Sequence, residues 1–139
     1  MFSIPSQQRT APKELIQMAK AQANDILTNI RGIDYIMLCS TDGFELASVY
    51  KKNPYNSTKL AAVSSSILAM VSAFLNEIHL TGCQSITLDA ENGKAILTSI
   101  PAPHHPMVMV TLSNKDVLLG QLLYSLKQAS AAIVAADQT

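Results

Sequence analysis

Two short runs in this chain are apolar on both of their faces: Ile36-Met37-Leu38-Cys39 and Met107-Val108-Met109-Val110. Successive side chains of a strand point to opposite sides, so a run without polar alternation has to be covered on both. Each run is joined to its neighbours through turn signals. "CSTDGFELAS", residues 39–48, sets Asp42-Gly43 between the first run and the more alternating "FELASVY". "AENGK", residues 90–94, sets Asn92-Gly93 between "CQSITLD" and "AILTSI", and "PAPHHP", residues 101–106, leads into the second run. Both Asp-Gly and Asn-Gly suit the positive φ angles of a type I′ hairpin turn. Strand 1 therefore lies beside strand 2, and strand 4 between strands 3 and 5. Placing the two doubly apolar strands together gives one antiparallel sheet of order 2-1-5-4-3 with helices on both faces.

The helices follow from apolar spacing. Leu15, Ala19, Ala23, Ile26 and Ile30 form one stripe, starting near Pro12 with Thr10 as a candidate cap and stopping at Gly32. A second helix is predicted from Ser57 or Thr58 to Leu80, with Gly82 as its stop. A third begins at Ser113 or Asn114, with Asp116 in its first turn and Leu119, Leu122, Leu126, Ala129 and Ile133 facing inward. Gly120 inside it marks a close packing point, because glycine in a helix otherwise costs stability. The pattern is αββαβββα, an α/β (α+β) domain over residues 12–136. Residues 1–11 read as a polar, aperiodic tail and 137–139 as a frayed end.

A chain of 139 residues fits one domain. Ten basic and ten acidic residues balance, and Lys51-Lys52 is the only adjacent basic pair, so a nucleic-acid partner is not expected. The longest apolar stretch, 60–75, is interrupted by Ser64, Ser65, Ser66 and Ser72, so no membrane insertion is expected. The opening residues lack the apolar segment of a secretory leader, which makes a cytoplasmic location the expectation. Cys39 and Cys83 are far apart and read as reduced strand thiols.

Candidate chemistry is sparse. His104 and His105 are adjacent in a proline-bound loop with acids distant in sequence, and His79 closes a helix, so neither a metal nor a cofactor is expected. The five glycines form no phosphate loop, and the Ser64-Ser65-Ser66 run has no base at helical spacing. Asp42 has no partner acid or base in its hairpin and reads as a turn residue. No catalytic residue is assigned.

With 48% hydrophobic and only 14% charged residues, the chain has more apolar surface than one core needs, which points to a partner-covered face. Helix 2 carries that excess. Leu60, Val63, Ile67, Met70, Phe74 and Ile78 make an inner stripe, widened by Leu68, Val71 and Leu75. Lys59, Ala62, Ser66, Ala69 and Ala73 form a smooth second face that lets another helix come close. Strand 2 is an edge guarded by Glu45 and the Lys51-Lys52-Asn53-Pro54 exit. Strand 3, comprising Cys83, Gln84, Ser85, Ile86, Thr87, Leu88 and Asp89, is an edge with no proline or lysine to discourage pairing. A two-fold homodimer with a continuous sheet is predicted through helix 2 and this edge.

The stretches "LCSTDGFELAS", "KLAAVSSSILAMVSAFLNEI", "ITLDAENGKAILTSI" and "LLGQLLYSLKQAS" together resemble the roadblock family over about Glu14 to Val134. That family includes dynein-associated light chains and bacterial regulators of Ras-like GTPases. The resemblance implies dimers that pair an edge strand and the second helix across the two-fold. It also implies a platform that docks near the switch regions of a small Ras-like GTPase and contributes no catalytic residue, with the face of Lys59, Ala62, Ser66, Ala69 and Ala73 serving either the two-fold or the GTPase. An adaptor without effect on nucleotide turnover, similar to the dynein light chains, is the alternative.

Overall fold

The two doubly apolar runs pair with each other. In the computed structural model, which describes residues 11–52 and 55–138, β1 (Ile33–Ser40) lies antiparallel to β5 (Met107–Ser113) at the centre of the sheet. Met37 sits opposite Val110 and Cys39 opposite Val108. β2 (Glu45–Tyr50) flanks β1, while β4 (Gly93–Ile100) and β3 (Ser85–Ala90) extend the other side, giving the order β2-β1-β5-β4-β3. Three helices complete the αββαβββα pattern: α1 (Lys13–Asn29), α2 (Ser57–Glu77) and α3 (Leu119–Ala136). Fold class, strand order and antiparallel pairing are those expected from the sequence.

Alternation along β1 feeds two cores. Ile36 and Leu38 enter the larger one, under α1 and α3, with Ile96, Ile100, Met107, Met109, Leu122, Leu126 and Ile133. Tyr35, Met37 and Cys39 enter a smaller one under α2, with Ala61, Leu97, Val108 and Val110. Each buried aliphatic side chain contributes about 1.5–3 kcal/mol, so the larger core dominates stability. α1 buries the expected Leu15, Ala19, Ala23, Ile26 and Ile30. α1 rests on β1, β2 and α3, and α3 rests on β4.

Local signals are less exact than topology. The Asp42-Gly43 hairpin is not a type I′ turn: Asp42 keeps a negative φ and only Gly43, at +92°, is left-handed. The Gly43 amide donates to Ser40 O and the Ser40 amide to Phe44 O, which is a glycine bulge with a register shift at Leu38/Cys39. In the second hairpin Glu91 and Asn92 form the turn and Gly93 is already in β4, opposite Ala90. A Cβ on Gly93 would lie 2.7 Å from Ser113 O, so this glycine serves a close backbone approach.

Helix ends also move. α2 is capped by Asn56, whose Oδ1 accepts the Lys59 amide, instead of by Ser57 or Thr58. It stops at Glu77, short of Leu80. His79 takes φ +64°, its amide bonding Asn76 O while the Leu80 amide bonds Leu75 O, the two bonds of a Schellman motif. α3 starts at Leu119, not at residue 113 or 114, because Ser113 completes β5, Asn114 Oδ1 accepts the Asp116 amide, and Val117 is buried before the helix begins. A Cβ on Gly120 meets open space, so it is no packing point. The tail and its cap Thr10, apart from Ala11, fall outside the described residues, as do Asn53, Pro54 and Thr139.

Two substitutions test these readings by urea denaturation. Gly93→Ala drives a methyl into Ser113 O and lowers stability by about 1–3 kcal/mol. His79→Gly relieves a left-handed residue and raises stability by about 0.5–1 kcal/mol.

Candidate interaction surface

α2 is held to the sheet along only one narrow side. Ala61 and Ser64 are its buried residues, with Leu60, Ile67 and Leu68 half-buried against the smaller core. Hydrogen bonds fix its start: Glu45 Oε1 accepts Ser57 Oγ at 2.7 Å and Glu45 Oε2 accepts Ser48 Oγ at 2.5 Å. Ser65 Oγ donates to Thr41 O, and Ala62 lies against Gly43, so this flank meets the β1–β2 hairpin.

Most of the expected inner stripe is therefore outside. Val63, Met70, Phe74 and Ile78 are exposed, Met70 by 71% and Phe74 by 63%. At about 100° per residue, Phe74 lies about 180° and Met70 about 140° around the axis from Ser65, away from the β1–β2 hairpin. α2 rests mainly on β1, and to a lesser degree on β2 and β5. Leu88 on β3 is exposed as well, while Ile86 packs at the rim of the smaller core. The result is an open apolar shelf of Val63, Met70, Phe74 and Ile78 on α2, with Leu88 exposed separately on β3. Its sequence signal is a helix apolar all round, which a stripe-by-stripe reading assigns inward. By length and composition alone α2 is long and apolar enough to cross a membrane, and in this fold it packs Ala61 and Ser64 against the sheet.

The small-residue face lies beside this shelf. Lys59, Ala62, Ser66, Ala69 and Ala73 are all exposed, and Ser66 Oγ donates to its own helix at Ala62 O. Strand β3 starts at Ser85, so Cys83 and Gln84 precede it, although the Ser99 amide still donates to Gln84 O. Ile86 and Cys83 are half-buried, whereas Gln84, Ser85, Thr87, Leu88 and Asp89 are exposed. Asp89 pairs with Lys94 across the hairpin at 2.7 Å. Hydrogen bonding alternates along an antiparallel pair, so with Gln84 bonded inward, the amides of Ser85, Thr87 and Asp89 point away from β4.

At the far end of the sheet, Asp137 corrects the expected frayed terminus. It is buried, and its carboxylate accepts the His104 and His105 amides, each at 2.8 Å, and His105 Nδ1 at 2.8 Å. An acid distant in sequence thus meets the histidine loop and fastens it to the end of α3. Burial alone would raise the Asp137 pKa, but the His105 ring and the two amides outweigh it and hold it below the usual carboxylate value. Among the described residues no group of three or more His, Cys, Asp or Glu is placed to hold a metal ion. Cys39 is buried, with its thiol near Val108 O, and burial pushes it up to about 12. Asp42 is exposed on its turn.

Sequence and structure comparisons agree with this architecture. The family model for the Roadblock/LC7 domain matches residues 22–102, more than half of the chain. The chain belongs to the Roadblock/LC7 family. Its fold is similar to that of the gliding protein MglB from Thermus thermophilus, with a TM-score of 0.78 at 19% identity, covering 91% of this chain and 93% of that one. Myxococcus xanthus MglB superposes with a TM-score of 0.81 at 14% identity, covering 91% and 92%. An MglB structure with a tetrameric arrangement gives 0.78 at 19% identity, covering 91% and 92%. No curated protein matches by sequence.

Asp137→Asn keeps the size but loses the charge that three donors address. It should lower stability at neutral pH by about 1.5–3 kcal/mol. Because the folded-state pKa is depressed, the carboxylate's contribution is present above the ordinary carboxylate range and disappears as pH falls through the folded value. Thermal melts from neutral pH down into the acid range should therefore converge for wild type and variant at the acid end.

Proposed function

We propose that this protein is a homodimeric, non-enzymatic platform that binds a small Ras-like GTPase and regulates its nucleotide state. The observation that carries the reading is that the same copy leaves both an apolar shelf on α2 and the edge strand β3 uncovered. Two copies related by a two-fold axis would cover both at once, joining β3 to β3 and α2 to α2. Membership of the Roadblock/LC7 family and the tetrameric arrangement of one MglB structure support self-association. The resemblance to regulators of Ras-like GTPases supports the choice of partner. In this reading the GTPase supplies the nucleotide site, and the dimer shifts its conformational equilibrium by binding one state better.

The small-residue face, Lys59, Ala62, Ser66, Ala69 and Ala73, is assigned to the second contact, leaving Met70 and Phe74 for the two-fold. Two variants separate these roles in sedimentation equilibrium. Phe74→Glu should weaken the dimer by about 100-fold or more, because a charge would be buried without a partner. Ala69→Glu should leave the dimer intact and abolish GTPase binding. GTP hydrolysis by a co-purified Ras-like GTPase, with and without the wild-type protein, tests regulation. Binding without any change in hydrolysis or nucleotide exchange would support the adaptor reading, and a wild-type monomer at micromolar concentration would remove the platform itself.

A further inference from the structure

On the face of the sheet away from α2, a hollow lies beside β4. α3 rests on this strand, and a cavity of about 710 Å³ opens between the helix and the outer strands. Leu123, Leu126, Ala131 and Val134 wall the helix side, Thr98 and Ser99 of β4 form the floor, and residues 82–85 border the outer rim. The pairing proposed for the dimer runs through the main chain of β3, whereas the wall and floor here belong to α3 and β4. Such a volume with a mostly aliphatic lining suits a small-molecule site, which also needs a few polar groups to fix an orientation.

Two polar groups border the cavity without a partner. Thr98 is only 6% exposed, and its side chain is on the cavity side of β4, because Ile96 and Ile100, two residues to either side, enter the core under α1 and α3. Its hydroxyl is buried and has no hydrogen-bond partner among the described residues. A buried hydroxyl left unpaired costs free energy that an incoming partner recovers. Ser130, by contrast, already donates to Ser99 O at 3.2 Å. Lys127 is the one charged residue on the lining, and among the described residues it makes no ion pair or hydrogen bond.

The cation and the hydroxyl flank one stretch of the cavity. α3 and β4 run in the same direction past it, since Ser130 meets Ser99 and Asp137 meets the loop that follows Ile100. Lys127 lies about one helical turn before Ser130, and Thr98 lies one residue before Ser99. From Lys127 to Ala135 the wall extends about 12 Å, at about 1.5 Å per residue, and carries no further charge. An extended chain advances about 1.2 Å per bond, so about ten carbons span that wall.

We propose that this cavity binds the free anion of a medium-chain fatty acid, its carboxylate held by Lys127 and the Thr98 hydroxyl and its chain laid toward Val134 and Ala135. The lysine stem covers apolar wall while its ammonium reaches the carboxylate, and the charge strengthens that hydrogen bond. The site is complete within one copy.

Isothermal titration calorimetry with hexanoate, octanoate, decanoate and dodecanoate tests the proposal. Each added pair of CH2 groups should tighten binding about fifteenfold up to about ten carbons, and little beyond. Lys127→Gln, at an exposed position, should weaken decanoate about tenfold or more and leave decanol unchanged. Thr98→Val should weaken decanoate about threefold or more, yet leave the urea stability of the free protein equal or higher, because the hydroxyl it removes is unpaired. Ala131→Phe, which fills the cavity from an exposed position, should abolish binding. Phe74→Glu should leave decanoate affinity unchanged, so failure of the dimer and failure of this site are read separately. Absence of saturable decanoate binding below about 1 mM would overturn the proposal. Decanol binding as tightly as decanoate would do the same, because an apolar chain alone would then be the ligand. Affinity that falls with rising protein concentration would give the cavity to a second copy and end the proposal as well.

Discussion

Everything in this molecule depends on the pairing of β1 with β5. Both strands lack a polar face, so each has to be covered twice, and placing them side by side lets one pair of layers serve both. The pair closes the sheet order, because β2 is tied to β1 by its hairpin while β3 and β4 follow backward from β5. It also divides the interior into two cores of unequal size, fed by alternate residues of the same strand.

The unequal cores have a consequence for binding. α1 and α3 together cover the face over β2, β1, β5 and β4, whereas α2 alone has to serve the other face. It buries Ala61 and Ser64 there and leaves Met70, Phe74 and Ile78 exposed. β3 is the edge strand, and of its residues only Ile86 is half-buried. Three helices cannot cover five strands twice, so the uncovered surface collects at one edge, where open amides and apolar side chains coincide. This coincidence makes self-association through β3 and α2 the simplest reading, and it leaves the α3 side of the same strand with a cavity of its own.

Strand order is legible because apolar alternation reports how many sides of a strand are covered, and Ile36–Cys39 and Met107–Val110 report it without ambiguity. Glycine signals are less legible. Asp42-Gly43 and Asn92-Gly93 look alike in sequence, yet Gly43 is needed for its positive φ and Gly93 for its distance from Ser113 O. That distance is set by a different strand and has no local signature. The direction of the α2 stripe escapes the sequence for a related reason: when large and small apolar residues surround a helix, periodicity cannot say which side meets the sheet. The contacts of Ala62 and Ser65 with the β1–β2 turn decide it. The Asp137 latch is invisible in sequence because its acid lies 32 residues from His105.

The central claim is that β3 is an internal strand of a continuous two-copy sheet. Hydrogen exchange at the Ser85, Thr87 and Asp89 amides tests it most directly, because these groups point away from β4 and, among the described residues, have no partner strand within one copy. At protein concentrations that maintain the dimer they should exchange as slowly as the amides of β4, and on dilution they should become fast while the core of β1 and β5 stays protected. Fast exchange of all three at every concentration, with the core protected, would contradict the account.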